Sequence, residues 1–410
     1  MLRWRGFSSE RRLFVALALG ASMISLRDNA DYHGFGASSL ASAYSLPTSW
    51  TTLCASNEAT RQSIRERCPT APGVYGVVGL DRDFVYVGQS KSLRNRLLSY
   101  FTGQPASAKV RRIVEEAKYL VWESAGHEFT ALLRELELIR RWQPRLNVRG
   151  NPVRTRRAYL CVDHGPVAQA YLSAKQSTGE RWTFGPVPAT RQYRRSVSRL
   201  NDCFGLRACR RSSEILFSDQ MELFSQLRDT NCARGELGKC LAPRATACSQ
   251  AEYRDRVEAL VDFLAGRDVA VLHRVEEEMQ SAARSQRFEL AARLRDTHED
   301  LARLCTFLQR LREVHRYSFV YPARGRGGKE NWYLIREGQV MAAERRPCNS
   351  RTARNCLKAL DAVFPRDGRT QLPIAPENLD MVLLVAHWFR KYPRELGAVL
   401  SPEQARGFCG

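Results

Sequence analysis

A carboxylate on the apolar side of a helix needs a partner, a proton or a metal ion. This chain carries one at Glu135, whose neighbours one turn away are Ala131, Leu132, Leu138 and Ile139. Two residues on, Glu137 has Leu133, Arg134, Arg140 and Arg141 in the same places, and reads as an ordinary solvated ion-pair site. Upstream, Tyr75 and Tyr86 sit in two short β-prone runs, and Arg96 and Tyr100 lie one turn apart on a helix. Those tyrosines equally suit the packing of a small α/β core; Glu135 does not. A second group is a crowd of thiols: Cys203, Cys209, Cys232, Cys240 and Cys248 fall within 46 of the 410 residues. In a reducing compartment such a crowd reads as metal binding rather than as disulfides.

The elements that hold these residues follow from pattern. Pro72–Val78 and Phe84–Gly88 flank the turn Gly79-Leu80-Asp81-Arg82-Asp83, which predicts a β-hairpin. If the hairpin is symmetric, Tyr75 and Tyr86 stand opposite each other and share one face. Lys91–Phe101 has apolar residues at 93, 97 and 101, and a second helix runs from Phe129 to Trp142. Tyr253–His315 is nearly free of Gly and Pro after Gly266 and reads as long helices. Beyond it, two strand-like runs, Tyr317–Pro322 and Trp332–Arg336, enclose a Gly-Lys loop that reads as a hairpin turn, and helices follow near 350–364 and 378–392.

Composition narrows the partner. Lys and Arg number 64 against 43 Asp and Glu, for a net charge of +21, and only eight of the 64 are Lys. Guanidinium forks match phosphate geometry, so nucleic acid leads, although a G+C-rich codon bias yields the same composition. A hydrophobic fraction of 44% excludes a largely disordered chain. No run approaches the roughly 20 apolar residues of a membrane-spanning helix. Basic residues followed by apolar Leu13–Leu26 have the layout of an export signal, but no convincing cleavage site follows. Residues 1–60 are therefore expected to be a poorly ordered or mis-started extension of a cytoplasmic protein.

Taken in order, Gly73-Val74-Tyr75, Tyr86-Val87-Gly88, Arg96, Tyr100, Glu135 and the Asn147 of Pro144-Arg145-Leu146-Asn147 resemble the GIY-YIG endonuclease signature, and Ala131–Arg140 resembles the acidic helix of its UvrC branch. The resemblance implies that Glu135 holds one divalent ion, Mg²⁺ or Mn²⁺, and that Arg96 contacts the scissile phosphate. It implies that Tyr75 is the general base or positions the water, with its pKa lowered by metal, Arg or a neighbouring Tyr. Tyr86 and Tyr100 would complete the network and Asn147 would hold the helix to the hairpin. Gln89 departs from the branch, which often has Lys there. Seven Arg and no acid between Arg140 and Arg157 suggest a phosphate-tracking stripe. The candidate DNA contacts are Lys91, Arg94, Arg140, Arg141, Arg145 and Arg149.

The likeness continues through Trp182–Pro186 and Phe204–Cys209, which look like the UvrC segment whose four cysteines hold an iron–sulfur cluster. Here Cys209, Cys232 and Cys240 match; Arg244 occupies the fourth position, and Cys248 lies four residues beyond it. A [4Fe-4S] cluster, a structural Zn²⁺ and a degenerate site all stay open. Phe288-Glu289-Leu290-Ala291-Ala292-Arg293-Leu294-Arg295-Asp296 resembles the UVR motif, implying a UvrB-like helicase as partner through Phe288, Ala291, Ala292 and Arg295. The RNase H-like half of full UvrC is not found. The expectation is an α+β multidomain protein. It comprises a GIY-YIG nuclease domain at 61–150, a basic Cys-containing region at 151–250, a UVR-like helical hairpin at 251–316 and a small α+β region at 317–410. Its expected role is incision 3′ of a lesion in damaged DNA, as in the shorter Cho-like homologues. The rivals are a nuclease for branched or foreign DNA that needs no such partner, and a non-cutting DNA-binding adaptor.

Overall fold

Short runs rich in Val, Tyr and Phe make the two strands of the hairpin, because β-branched and aromatic side chains suit a pleated surface. The computed structural model describes residues 35–36, 38, 48–52, 57–101, 107–148, 150–151, 156–175, 181–209, 213, 215, 217–219, 232–243, 247–325, 328–365 and 373–409. Two compact units divide the chain, Met1–Asn151 and Pro152–Gly410. In the first, β1 (Thr48–Thr52), α1 (Asn57–Arg67), β2 (Gly73–Val78), β3 (Phe84–Ser90), α2 (Leu93–Phe101), α3 (Ala108–Glu115), β4 (Tyr119–Ser124) and α4 (Glu128–Trp142) follow in order. The sheet is antiparallel in the order β1-β4-β2-β3. Every residue of β2 is buried, as expected of an inner strand covered on both faces. One face carries Tyr75, Leu93, Leu97, Tyr100 and Trp122. The other carries Val74, Phe84, Val87, Ala131, Leu138 and Ile139.

The hairpin register corrects the symmetric expectation. Tyr75 pairs with Gly88 and Val77 with Tyr86, and the register shifts by one between Val77 and Val78. Without that bulge Tyr86 would point to the opposite face from Tyr75, since a one-residue slip reverses every side chain. The bulge therefore places both phenols on one face. Gly88 has its own reason: a Cβ there would lie 2.6 Å from the Tyr75 hydroxyl, so the ring lies over bare backbone.

Residues 1–60 are expected to be a poorly ordered or mis-started extension; those of them that are described take part in the fold. Phe35 is fully buried and stacks on Phe84 with ring centroids 5.4 Å apart. β1 pairs along its length with β4. The apolar stretch 13–26 lies outside the described residues.

In the second unit β5 (Arg157–Asp163), β6 (Ala170–Ser173) and β7 (Arg181–Pro188) form a sheet in the order β6-β5-β7. Then come α5 (Arg191–Cys203), α6 (Ala233–Glu236), α7 (Gln250–Ala265), α8 (Ala270–Arg284) and α9 (Phe288–His315). Ser249 and Glu252 form a capping box at the start of α7, and Gly266 closes the helix in the left-handed conformation. Leu160, Leu200, Leu260, Leu301 and Leu304 share one core, so the helices and this sheet are built together. β8 (Phe319–Arg324), β9 (Glu330–Arg336) and β10 (Gln339–Arg345) form a last sheet, with α10 (Ser350–Val363), α11 (Leu379–Lys391), α12 (Pro393–Leu396) and α13 (Pro402–Gly407) behind it in sequence. The Gly-Lys loop joins β8 to β9, where Gly325 N–H donates to the Lys329 carbonyl at 2.8 Å. Among the described residues no helix is long and apolar enough to cross a membrane.

Candidate active site

The bulge, the bare Gly88 and the packing of α2 bring three phenols together. The Tyr75 and Tyr100 hydroxyls are hydrogen-bonded at 2.7 Å, and Arg96 Nε donates to the Tyr75 oxygen at 3.3 Å. The Tyr75 ring lies 6.2 Å from that of Tyr86 and 5.8 Å from that of Tyr100. The Arg96 guanidinium sits 4.9 Å from the Tyr100 ring centroid. Tyr75 and Tyr100 are buried, while Arg96 stays exposed and can meet an anion.

Electrostatics sets what these groups can do. Burial drives the Tyr75 pKa well above the ordinary phenol value, and the Tyr100 and Tyr86 phenols raise it further; only Arg96 pulls it down. The expected help from neighbouring tyrosines thus has the wrong sign, and Tyr75 is a neutral phenol that can orient a water. Tyr86 is pushed up to about 12, chiefly by burial, then by Tyr100 and by the carboxylate of Glu135. Glu135, half-buried, is thus near enough to Tyr86 for its charge to act there. Asn147 accepts from Val87 N–H at 2.9 Å and donates to the Val87 carbonyl at 2.8 Å, so it binds the chain beyond α4 to β3. Gln89, by strand alternation, lies off the Tyr75 face, away from the phenols.

Glu137 is not a solvated ion-pair site. It accepts from Arg134 at 2.8 Å and Arg141 at 3.2 Å, while Arg134, only 2% exposed, also binds Glu123 through two nitrogens. Arg134 and Arg141 further donate to the Gly36 and Phe35 carbonyls. Several expected DNA contacts have partners within the protein. Lys91 pairs with Glu128, Arg94 donates to the Cys68 carbonyl, Arg141 is in the network just described, and Arg145 pairs with Glu116. Arg140 is half-buried, and Arg149 lies outside the described residues. Sequence reasoning passes over Lys109, whose ammonium stands 4.9 Å from the Tyr86 ring centroid. Nothing local marks it, because its partner comes from a different element.

In the second unit Cys209, Cys232 and Cys240 line one cavity of about 220 Å³ with Arg207 and Arg234. Cys248 is buried and outside that lining. Burial raises the Cys240 thiol, and pushes that of Cys248 up to about 11. Among the described residues no group of three or more His, Cys, Asp or Glu side chains is arranged to hold a metal ion. On α9, Phe288 is 68% exposed, Ala291 and Ala292 are half-buried and Arg295 is exposed, whereas Leu301, Leu304 and Leu308 are buried.

Residues 71–148 match the UvrC-like GIY-YIG domain, so the tyrosine cluster belongs to a GIY-YIG module. Residues 270–301 match the UvrB/uvrC motif. The chain is UvrC-like, with the GIY-YIG domain towards its N-terminus. It is 30% identical over 291 residues to UvrABC system protein C of Syntrophomonas wolfei, covering 68% of this chain and 45% of that protein. With UvrABC system protein C of Haemophilus ducreyi it shares 33% over 230 residues, or 56% of this chain and 36% of the relative. The chain thus spans less than half the length of the curated relatives it matches. Among solved structures, the GIY-YIG N-terminal endonuclease domain of UvrC from Thermotoga maritima, bound to its catalytic divalent cation magnesium, is 37% identical. That match covers 98% of the solved domain and 22% of this chain, with a TM-score of 0.20.

Proposed function

We propose that this chain is a metal-dependent DNA endonuclease of nucleotide excision repair. It hydrolyses a phosphodiester on the 3′ side of a lesion in the cytoplasm, after recruitment by a UvrB-like helicase. The observation that carries the reading is the Tyr75–Tyr100–Arg96 hydrogen-bonded cluster, with the charge of Glu135 reaching Tyr86, in a UvrC-like GIY-YIG domain. Tyr75, kept neutral, orients the attacking water. Arg96 meets the phosphate with a charge-assisted hydrogen bond that strengthens as charge builds on it. Tyr86 and Tyr100 fix the Tyr75 hydroxyl, Asn147 holds α4 in place, and Lys109 adds a cation at the rim. The donor set suits a small hard cation: Mg²⁺ takes one or two carboxylates and keeps several waters, and Glu135 supplies one carboxylate at the cluster. When bound, such an ion supplies Lewis-acid neutralisation of the phosphate.

A nicking assay on a lesion-bearing duplex with Mg²⁺ and UvrB tests this. Glu135→Ala should abolish nicking while DNA binding persists, and Arg96→Ala should cost about 10²-fold in rate. A Glu135→Ala protein as active as the parent would refute the assignment.

The finer reading of the second unit is an iron–sulfur cluster on Cys209, Cys232, Cys240 and Cys248. It is supported by Cys209, Cys232 and Cys240 lining one cavity; among the described residues these thiols are not gathered into an ion-holding group and Cys248 lies outside the lining, so no step of the reaction is assigned to a cluster. Anaerobically purified protein should contain iron and absorb broadly at the visible–ultraviolet boundary. Colourless, iron-free protein would remove the cluster, and bound zinc would replace it with a structural ion.

A further inference from the structure

Asp300 is only 1% exposed, and three arginines converge on it. Arg195 donates through Nε at 2.6 Å and Nη2 at 3.1 Å, Arg199 through Nη1 at 2.6 Å, and Arg303 through Nη1 at 3.2 Å. Neutralising one carboxylate takes one guanidinium; three leave an excess of positive charge at a fixed place. Two of the three also face solvent, with Arg195 55% and Arg303 44% exposed. Exposed Arg191 and Arg194 continue the row on α5, and Arg310 lies near enough to Tyr193, with Arg303, for its charge to act there. The acids of this stretch are few. Asp296 pairs with Arg295 and its charge also reaches Arg195, Asp202 pairs with Arg234, and Glu299 precedes Asp300 on α9. No acid occupies the first turn of α5, where Arg191 opposes the helix dipole without compensation.

We propose that this arginine ridge on α5 and α9 is a binding site for the phosphate backbone of duplex DNA, separate in sequence from the tyrosine cluster. The inference rests on the reading that DNA is the substrate. Asp300 does for the arginines what a bound phosphate would otherwise have to do: it fixes long side chains in advance, so less freedom is given up on binding. Arg191 to Arg199 spans about 12 Å of helix at 1.5 Å per residue. One DNA strand presents a phosphate about every 3.4 Å of axis, so the row matches several phosphates in succession. Such contacts are blind to sequence and sensitive to salt.

The test is the salt dependence of binding to an undamaged duplex oligonucleotide by the full chain, without divalent ions so that nothing is cut. Arg191→Gln/Arg194→Gln leaves the Asp300 cluster intact and should lower the slope of log K against log salt by roughly 0.9 for each phosphate no longer neutralised. Arg195→Gln/Arg303→Gln should lower it similarly, with Arg199 still pairing Asp300. Arg191→Lys/Arg194→Lys should restore most of the slope. Parent-like slopes in both glutamine variants, with parent-like circular dichroism, overturn the proposal. The same outcome with abolished binding to polyglutamate assigns the ridge to an acidic protein instead, and overturns it equally. If the parent itself shows no salt-dependent binding, the substrate reading fails first; if the parent binds and both glutamine variants keep its slope, this inference alone fails.

Discussion

Asp300 shows how a single residue ties chemistry to stability. Burial raises its pKa, but the Arg195 hydrogen bond and the charges of Arg199 and Arg195 outweigh this and hold it below the ordinary carboxylate range. A depressed carboxyl pKa means that the folded state binds the proton less readily than the unfolded one. Its stabilisation is therefore complete above the unfolded value of about 4 and is lost as pH falls through the lower folded value. Acid titration of unfolding should show this loss in the parent, and Asp300→Asn should flatten it while lowering stability at neutral pH. An unchanged acid limb in the variant would show that other carboxylates govern it. Tyr75 is the opposite case: burial and its fellow phenols favour the neutral form, which is why a water-orienting role suits it better than that of a free base.

At the scale of elements, α9 changes character along its length. Its C-terminal half is core, while Phe288 at its start is exposed. An exposed aromatic flanked by half-buried alanines suits a partner's surface. Phe288→Ala should weaken UvrB binding and lesion-dependent nicking together, keep the free energy of unfolding within about 1 kcal/mol of the parent's, and spare partner-independent nicking. Parent-like affinity would move the binding surface elsewhere. The pattern of the chain makes the hairpin, the helix of Arg96 and Tyr100 and the long helices after Tyr253 legible, because each has a periodicity of its own. β4 escapes such a reading: Tyr119-Leu120-Val121-Trp122-Glu123-Ser124 is short and does not alternate. Glu135 stands out because its apolar neighbours are local. Glu137 misleads because its environment depends on Arg134 reaching Glu123 on β4 and Gly36 far upstream, pairings that no local spacing reveals. The bulge itself is equally hidden: its extra residue, Val85, sits between Phe84 and Tyr86 with no Gly or Pro beside it.

For the whole molecule, the addition of Phe35 and β1 to the GIY-YIG module matters as much as its signature residues. The family match begins at residue 71, yet the sheet begins at Thr48 and the core at Phe35. β1 converts β4 from an edge strand into an inner one. In an antiparallel strand successive residues turn their amides to opposite neighbours. β4 should therefore exchange its amide hydrogens at two rates in alternation: those bonded to β2 slowly, with opening of the sheet, and those bonded to β1 faster, whenever that strand peels away. Residue-resolved hydrogen exchange reads this directly, and uniform protection along Tyr119–Ser124 would mean that β1 and the sheet open as one. The alternation makes β4 a clock for the attachment of the preceding chain, readable without cutting any DNA.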